Sequence, residues 1–202
     1  RPDPASVLVF LDGDVIPGPD TLARHHDRLT DPKRPRQLSL GWRVDMTPEQ
    51  DALFTDEAVL AASPPPITPG QRRAIDQRHK RYQRQAFWAR LGLARPHKPK
   101  ILGANFACPL ATYLAVNGQD EEFEGWGQED DDFARRVYQS GGRPHIGLRD
   151  TLVYHQHHET LAPPEWKAGS NVALLQSKRP TRCAHGIKNP VEQPEVEVLE
   201  IA

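Results

Sequence analysis

The run Phe123-Glu124-Gly125-Trp126-Gly127-Gln128-Glu129-Asp130-Asp131-Asp132 holds the densest chemistry in the chain. Four consecutive acids follow a Gly-Trp-Gly turn, with Phe123, Trp126 and Phe133 around them. A bare acidic run is ordinarily a solvated face. Acids beside large apolar rings are instead desolvated, and desolvation together with like-charge repulsion lifts a carboxylate's pKa toward the range of a general base. Gly125 and Gly127 let the backbone pass close to a ligand. The segment reads as a catalytic loop that opens a helix. Asp132 is expected to face solvent or to cap that helix rather than react.

Two further clusters have ligand chemistry. Val7 to Leu11 is a short apolar, β-favouring run, read as a buried strand, and it ends in Asp12-Gly13-Asp14. Carboxylates just past a buried strand lie at the sheet edge where α/β folds bind ligands. Two Asp separated by Gly can turn oxygens toward one hard cation of the kind that bridges phosphates. The bland reading of the tripeptide is an Asp-Gly turn. Near the other end, Leu152-Val153-Tyr154 reads as a strand running into His155-Gln156-His157-His158. Imidazole is a frequent ligand of transition metals, whereas a polar loop with histidines is the neutral alternative among nine His. The order of the three segments fits one site.

These segments, with Leu102-Gly103-Ala104-Asn105-Phe106-Ala107 and Asn117-Gly118-Gln119-Asp120, resemble the inverting glycosyltransferases of the GT-A fold. The likeness is to the family 2 type whose C-terminal region is shared with β-1,4-galactosyltransferases and chondroitin-polymerase-like enzymes. It covers most of residues 7 to 159, while residues 45–99 match nothing in the pattern. The resemblance implies an α/β fold, a mixed sheet flanked by helices. Asp12 and Asp14 would hold Mn2+ (or Mg2+) on the diphosphate of a nucleotide-sugar donor, a UDP-sugar. His158 would complete the metal shell, with His155 an additional or substitute ligand, and Asp130 would be the general base. Glu129, Trp126 and Gly127 would line the sugar and acceptor pockets, and Asn105 would sit near the donor sugar. Gln119 departs from the pattern, standing where a ring is usual, and is expected to alter packing more than chemistry.

The implied activity is metal-dependent hexosyl transfer to a hydroxyl of a glycan or lipid-linked acceptor, in bacterial surface polysaccharide or lipopolysaccharide synthesis. The other reading is a non-catalytic carbohydrate-binding or scaffold module derived from such an enzyme. By the same resemblance, the nucleotide-binding strands expected before Asp12 are missing, so the 202 residues read as the C-terminal part (1–180) of a GT-A domain with a tail or linker (181–202).

A net charge of −1 gives no bulk attraction to nucleic acid. Cys108 and Cys183 lack metal spacing and read as reduced thiols, hence a cytoplasmic protein, at the inner face of the membrane if peripherally attached. No apolar run approaches the roughly 18 residues that span a bilayer.

The elements that must position these groups are legible in outline. Helices are expected over Pro19–Leu29, Pro48–Ala62, Pro69–Leu91, Ala111–Val116 (or a strand), Glu129–Ser140 and residues 164–177, and a strand over Gln37–Val44. The third helix is strongly basic, read as a solvated face or as an acceptor- or membrane-binding arm; Phe87 and Trp88 could contact an acceptor, but docking of the helix on the body is the expectation. In Glu129–Ser140, Phe133 and Val137 share the core face and Gly141-Gly142 end the helix.

Overall fold

The computed structural model describes residue 3 and residues 6–93, 95, 97–158 and 169–191. It is a mixed α/β domain with two mixed sheets flanked by helices, consistent with a GT-A-like domain. The first sheet has the order β1 (Val7–Phe10), β5 (Phe106–Pro109), β3 (Leu38–Leu40), β6 (Pro144–Ile146); only β3 and β6 run parallel. The second has the order β2 (Val15–Pro17), β7 (Leu152–His155), β4 (Trp42–Asp45), antiparallel then parallel.

The chain passes from the first sheet to the second at three places. Residues 11–14 join β1 to β2, Gly41 joins β3 to β4, and residues 147–151 join β6 to β7. The single strand expected over Gln37–Val44 is therefore two strands split by Gly41, where the chain changes sheets.

Asn105 fastens this seam. Its Nδ2 donates to Trp42 O at 3.0 Å and to Thr151 O at 3.1 Å, and Gly41 N donates to its carbonyl at 3.1 Å. A side chain on residue 41 would collide with the Asn105 amide, so glycine is required at this crossing by close approach. Nδ2 is committed as donor, so Oδ1 is the atom facing His25 Nε2 at 2.8 Å, and His25 carries its proton there. His25 Nδ1 then accepts from Ser39 Oγ at 2.9 Å. Burial lowers the His25 pKa, with Arg28 acting the same way against the Asn105 hydrogen bond, which keeps the ring neutral.

Helix α1 (Thr21–Thr30) docks through Thr21, His25 and Leu29, spaced four residues apart on one face. The helix expected over Pro48–Ala62 is instead two short ones, α2 (Pro48–Ala52) and α3 (Asp56–Leu60). Thr47 and Thr55 each accept a backbone N–H as N-cap, and the second cap restarts the helix. The long basic helix α4 (Pro69–Arg90) docks through Ile75, His79 and Tyr82, with Tyr82 edge-on to Trp42. Phe87 and Trp88 do not dock it, contrary to the sequence reading: both are exposed, because the buried stripe has rotated away by the last turns. Helix α5 (Leu110–Ala115) leads to the Asn117-Gly118 turn. Helix α6 (Glu129–Gln139) sets Phe133, Ala134 and Val137 against Leu38, Leu40, Phe106 and Cys108, and Gly141 at positive φ ends it. Of the helix expected over 164–177, residues 164–168, with Trp166, lie outside the described residues; α7 spans Ser170–Gln176.

Residues 181–191, expected as the start of a tail, pack on the Asn117 turn. Cys183 is buried beneath Val116, Ile187 N donates to Asn117 O at 3.1 Å, and Lys188 N donates to Asn117 Oδ1 at 3.0 Å. Both cysteines are free thiols, raised by burial, Cys108 to about 12. No described helix is long and apolar enough to cross a membrane.

Replacing Asn105 with Ala leaves His25 Nε2 without its partner and takes one donor each from the Trp42 and Thr151 carbonyls, in a buried seam. At 1–3 kcal/mol for an unsatisfied buried group, the loss should be about 3 kcal/mol in urea unfolding. A loss under about 1 kcal/mol would show that the seam does not depend on this amide.

Candidate active site

The β2–β7 register places Val15 opposite His155, so Asp14 stands at the point where β7 runs out. Gln156 N donates to Asp14 O at 3.0 Å, and His157 N donates to the Asp51 carboxylate at 3.3 Å, which turns the chain back toward Asp14. Asp14 Oδ2 lies 3.2 Å from His155 Nε2 and 3.0 Å from His158 Nε2, and the two Nε2 atoms are 3.3 Å apart. One ligand atom from each of these residues lies within 4.8 Å of the others.

The donor set fits a divalent cation. His155 Nδ1 faces Asp45 Oδ1 at 3.5 Å, so that with a proton held on Nδ1 the Nε2 atom would be available to a cation beside Asp14. Asp14 Oδ1 is buried without a hydrogen-bond partner. Mixed imidazole and carboxylate ligation suits a first-row divalent ion such as Mn2+. At Asp14, partial burial works upward, but the hydrogen bond from His158 and the charge of His155 outweigh it and hold the pKa below the ordinary carboxylate value. Asp12 stands beside this trio rather than within it. Its pKa is raised by burial and then by Asp14, against Arg43 and His155.

Asp12 connects the trio to the acidic loop, because its charge also acts on Asp130. The Asp130 pKa is raised to about 7, first by burial, then by Glu129, Asp12 and Asp131, while a hydrogen bond from Gly103 opposes. Gly103 N donates to Asp130 Oδ2 at 2.7 Å, and a Cβ at residue 103 would lie 2.6 Å from that oxygen. Gly103 is thus the cradle of Asp130.

The four acids have separate fates. Glu129 Oε2 is buried with no hydrogen-bond partner, an acceptor aimed at no protein donor. Asp131 is buried and paired with Lys100. Asp132 is a correction to the sequence reading: it neither caps the helix nor meets solvent. It is fully buried between Arg135 and Arg136, with Arg136 Nε 2.6 Å from Oδ2. Arg136 in turn donates to Val116 O at 2.8 Å and Gly118 O at 2.7 Å, clamping the Asn117-Gly118 turn to α6. The pair fixes geometry; removing one partner would leave a buried charge costing about 3–5 kcal/mol.

The Gly-Trp-Gly turn is held from outside. Asn171 Nδ2 of α7 donates to Glu124 O and Gly127 O, both at 2.9 Å. Gly125 and Gly127 take φ of 71° and 100°, and Gln128, the N-cap of α6, takes 78°, where a side chain is strained. Trp126 is 55% exposed, unlike Phe123 and Phe133, and presents its ring to the surface.

Asn105 is the second correction. It has no accessible surface, and each of its polar side-chain atoms is bonded to the seam. It contacts no open site, because the crossing of the two sheets requires its amide. Gln119 also departs from expectation: its Nε2 lies 3.4 Å from Asp130 Oδ1, so it bears on the carboxylate itself. Sequence reasoning gave no role to Gly103, Asp45, Asn171 or Arg136. Apart from the Asp132–Arg136 pair at helical spacing, their partners are 27, 110, 44 to 47 and 18 to 20 residues distant along the chain, beyond any local pattern.

Residues 93–159 match a protein family described as the N-terminal domain of galactosyltransferase. The matched stretch includes the acidic loop, His155 and His158, and lies beyond Asp12 and Asp14. No curated protein matches the chain. The family match supports a galactosyltransferase-like GT-A domain and glycosyltransferase activity in general. Such enzymes use a nucleotide-sugar donor and an acceptor, and galactosyltransferases generally use a divalent metal.

A carboxyl whose pKa rises on folding stabilises the fold fully below its unfolded pKa, and that stability is lost as pH rises through the folded pKa. Asp130→Asn should therefore gain on the native protein between pH 4 and 7, by roughly 1.4 kcal/mol for each pH unit and a few kcal/mol in all, and hold that gain above pH 7. Equal stability differences at pH 4 and pH 8, by thermal unfolding, would contradict the raised pKa.

Proposed function

We propose that this chain transfers a sugar from a nucleotide-sugar donor, a UDP-sugar, to a hydroxyl of a glycan or lipid-linked acceptor, with inversion and with a divalent cation. The observation that carries the reading is the arrangement of Asp14, His155 and His158, joined through Asp12 to a carboxylate at Asp130 poised near neutrality.

In this reading Asp14, His155 and His158 hold Mn2+ (or Mg2+), and Asp12 adds charge beside it. The cation supplies Lewis-acid stabilisation of the departing diphosphate when bound. Asp130 Oδ accepts the proton of the acceptor hydroxyl as its oxygen bonds to the anomeric carbon and the bond to the phosphate oxygen breaks; attack opposite the leaving group inverts the centre. A base near pKa 7 is suited to this work at neutral pH. The Gly103 N–H fixes the carboxylate so that the reactive geometry needs no search. Glu129 Oε2, buried and unbonded, is placed to take a hydrogen bond from a sugar hydroxyl, and Trp126 offers an exposed ring on which a pyranose can stack. The backbone at Gly127 admits the ligand closely.

The surface of α4, basic with Phe87 and Trp88 exposed near its end, is compatible with peripheral contact with a membrane carrying the acceptor. Synthesis of a bacterial surface polysaccharide or lipopolysaccharide at the cytoplasmic face is the setting that fits this reading.

Asp130→Asn should lower transfer at least 1000-fold while leaving Mn2+ and donor affinity within about threefold; loss of donor binding would remove the base assignment. Asp14→Ala should abolish activity and Mn2+ binding together, and turnover of that variant in EDTA at the native rate would refute the metal assignment. For the native protein, kcat/KM should climb with pH and level off above about 7 as Asp130 ionises. A flat profile from pH 5 to 8 would contradict Asp130 as base.

A further inference from the structure

On the face of α6 that carries Asp131, a cavity of about 580 Å³ opens between α6, α7 and the segment that supplies Arg95, His97, Lys98 and Lys100. Gln128, Asp131, Arg135 and Gln139 are spaced three and four residues apart and form its α6 wall. The opposite walls bring Arg95, Lys98 and Lys100 from one side and Lys178 and Arg179 from the other. Asp131 is the one acid on the lining.

The charges do not cancel. Arg135 is matched by Asp132, and Arg179 by Asp120 and Glu122. Lys100 is matched by Asp131. Arg95, Lys98 and Lys178 make no ion pair among the described residues, on a chain whose net charge is −1. The wall also holds an unpartnered polar atom on a buried group: Arg135 is 5% exposed, and its Nε has no hydrogen-bond partner. Burial, with the nearby cations Lys100, Arg95 and Arg81 and against the pull of Asp131, lowers the Lys98 pKa to about 8. Like charges crowded this way relax when an anion enters.

Resting on the transferase reading above, we infer that this cavity is an acceptor subsite for an anionic group, a phosphate or carboxylate carried on the acceptor close to the hydroxyl presented to Asp130. The donor's phosphates have their place at Asp14, His155 and His158, none of which lines the cavity. Asp131 on the cavity lining is the residue after Asp130, so in this inference an acceptor whose anion is held by Lys98 and Lys178 presents its hydroxyl to the base around the first turn of α6. Asp131, the one acid on the lining, disfavours an anion beside it and favours the attached hydroxyls as donors. The acceptor is therefore a charged glycan or a sugar linked through phosphate, not a neutral sugar.

Calorimetric titration of the full chain in EDTA tests this. The probes are inorganic pyrophosphate, a uronate-bearing oligosaccharide, and the same oligosaccharide with its carboxyls reduced to alcohols. At least one charged probe should bind; pyrophosphate identifies a phosphate-linked acceptor, and the uronate a carboxylate-bearing one. The reduced oligosaccharide should bind at least tenfold more weakly than the uronate if the carboxylate is the ligand. Lys98→Ala/Lys178→Ala should weaken the bound probe at least tenfold, and Asp14→Ala should leave it unchanged. No binding by either charged probe, equal binding in the lysine double variant, or loss of binding in Asp14→Ala would overturn the subsite. None of these outcomes bears on transfer itself, which is decided by the Mn2+ and Asp130 assays.

Discussion

The hydrogen bonds of Asn105 hold the two sheets at one seam, and the site depends on that seam. Asp12 and Asp14 lie where the chain leaves β1 for β2, and His155 lies at the end of β7. The acidic loop, by contrast, belongs to the first sheet through α6, packed on β3 and β5 by Phe133 and Val137. The candidate ligands and the raised carboxylate thus come from different sheets. Asn105 links the backbone at Gly41, Trp42 and Thr151, and through His25 it reaches Ser39. A neutral, fully bonded polar cluster of this kind costs little in a dry interior and specifies a single arrangement, whereas a half-satisfied one would favour neither.

The second constraint is the division of labour within four adjacent acids. Side chains on successive helical residues point about 100° apart, so neighbours in sequence face different surroundings. Asp132 turns inward to Arg135 and Arg136, Asp131 turns to Lys100, and Asp130 turns to Gly103. Of the three aspartates only Asp130 lacks a cation partner among the described residues, and its pKa is raised to about 7. The neutralised neighbours place charge where the fold needs it and leave one carboxyl free to exchange a proton. All four also lie in the first turn of α6, where the helix dipole favours negative charge.

Much of this was legible in the residues. The apolar spacing of α6 and the strands entering and leaving the site follow from period and propensity, and the grouping of Asp14 with His155 and His158 from the family resemblance. What could not be read was set by distant partners. Gly41 looks like any glycine until the change of sheet is seen, and Asn105 looks like a ligand contact until its amide is found bonded on every side. Asp132 reads as a surface acid because nothing local reveals that Arg136 is buried beside it. Residues 181–202 read as a tail or linker, on a composition rich in Glu, Pro and Val from Asn189 on, yet Cys183, Ile187 and Lys188 supply partners of the Asn117 turn. Local pattern fixes elements; hydrogen-bond closure between residues distant along the chain fixes which polar group is structural and which is exposed to chemistry.

The proposed reaction needs a cation at the imidazole–carboxylate trio of Asp14, His155 and His158. Anomalous scattering from crystals grown with Mn2+ tests this most directly. A manganese peak is expected about 2–2.3 Å from an Asp14 carboxylate oxygen and from Nε2 of both His155 and His158. A peak bound elsewhere, or none at these three residues at saturating Mn2+, would contradict it.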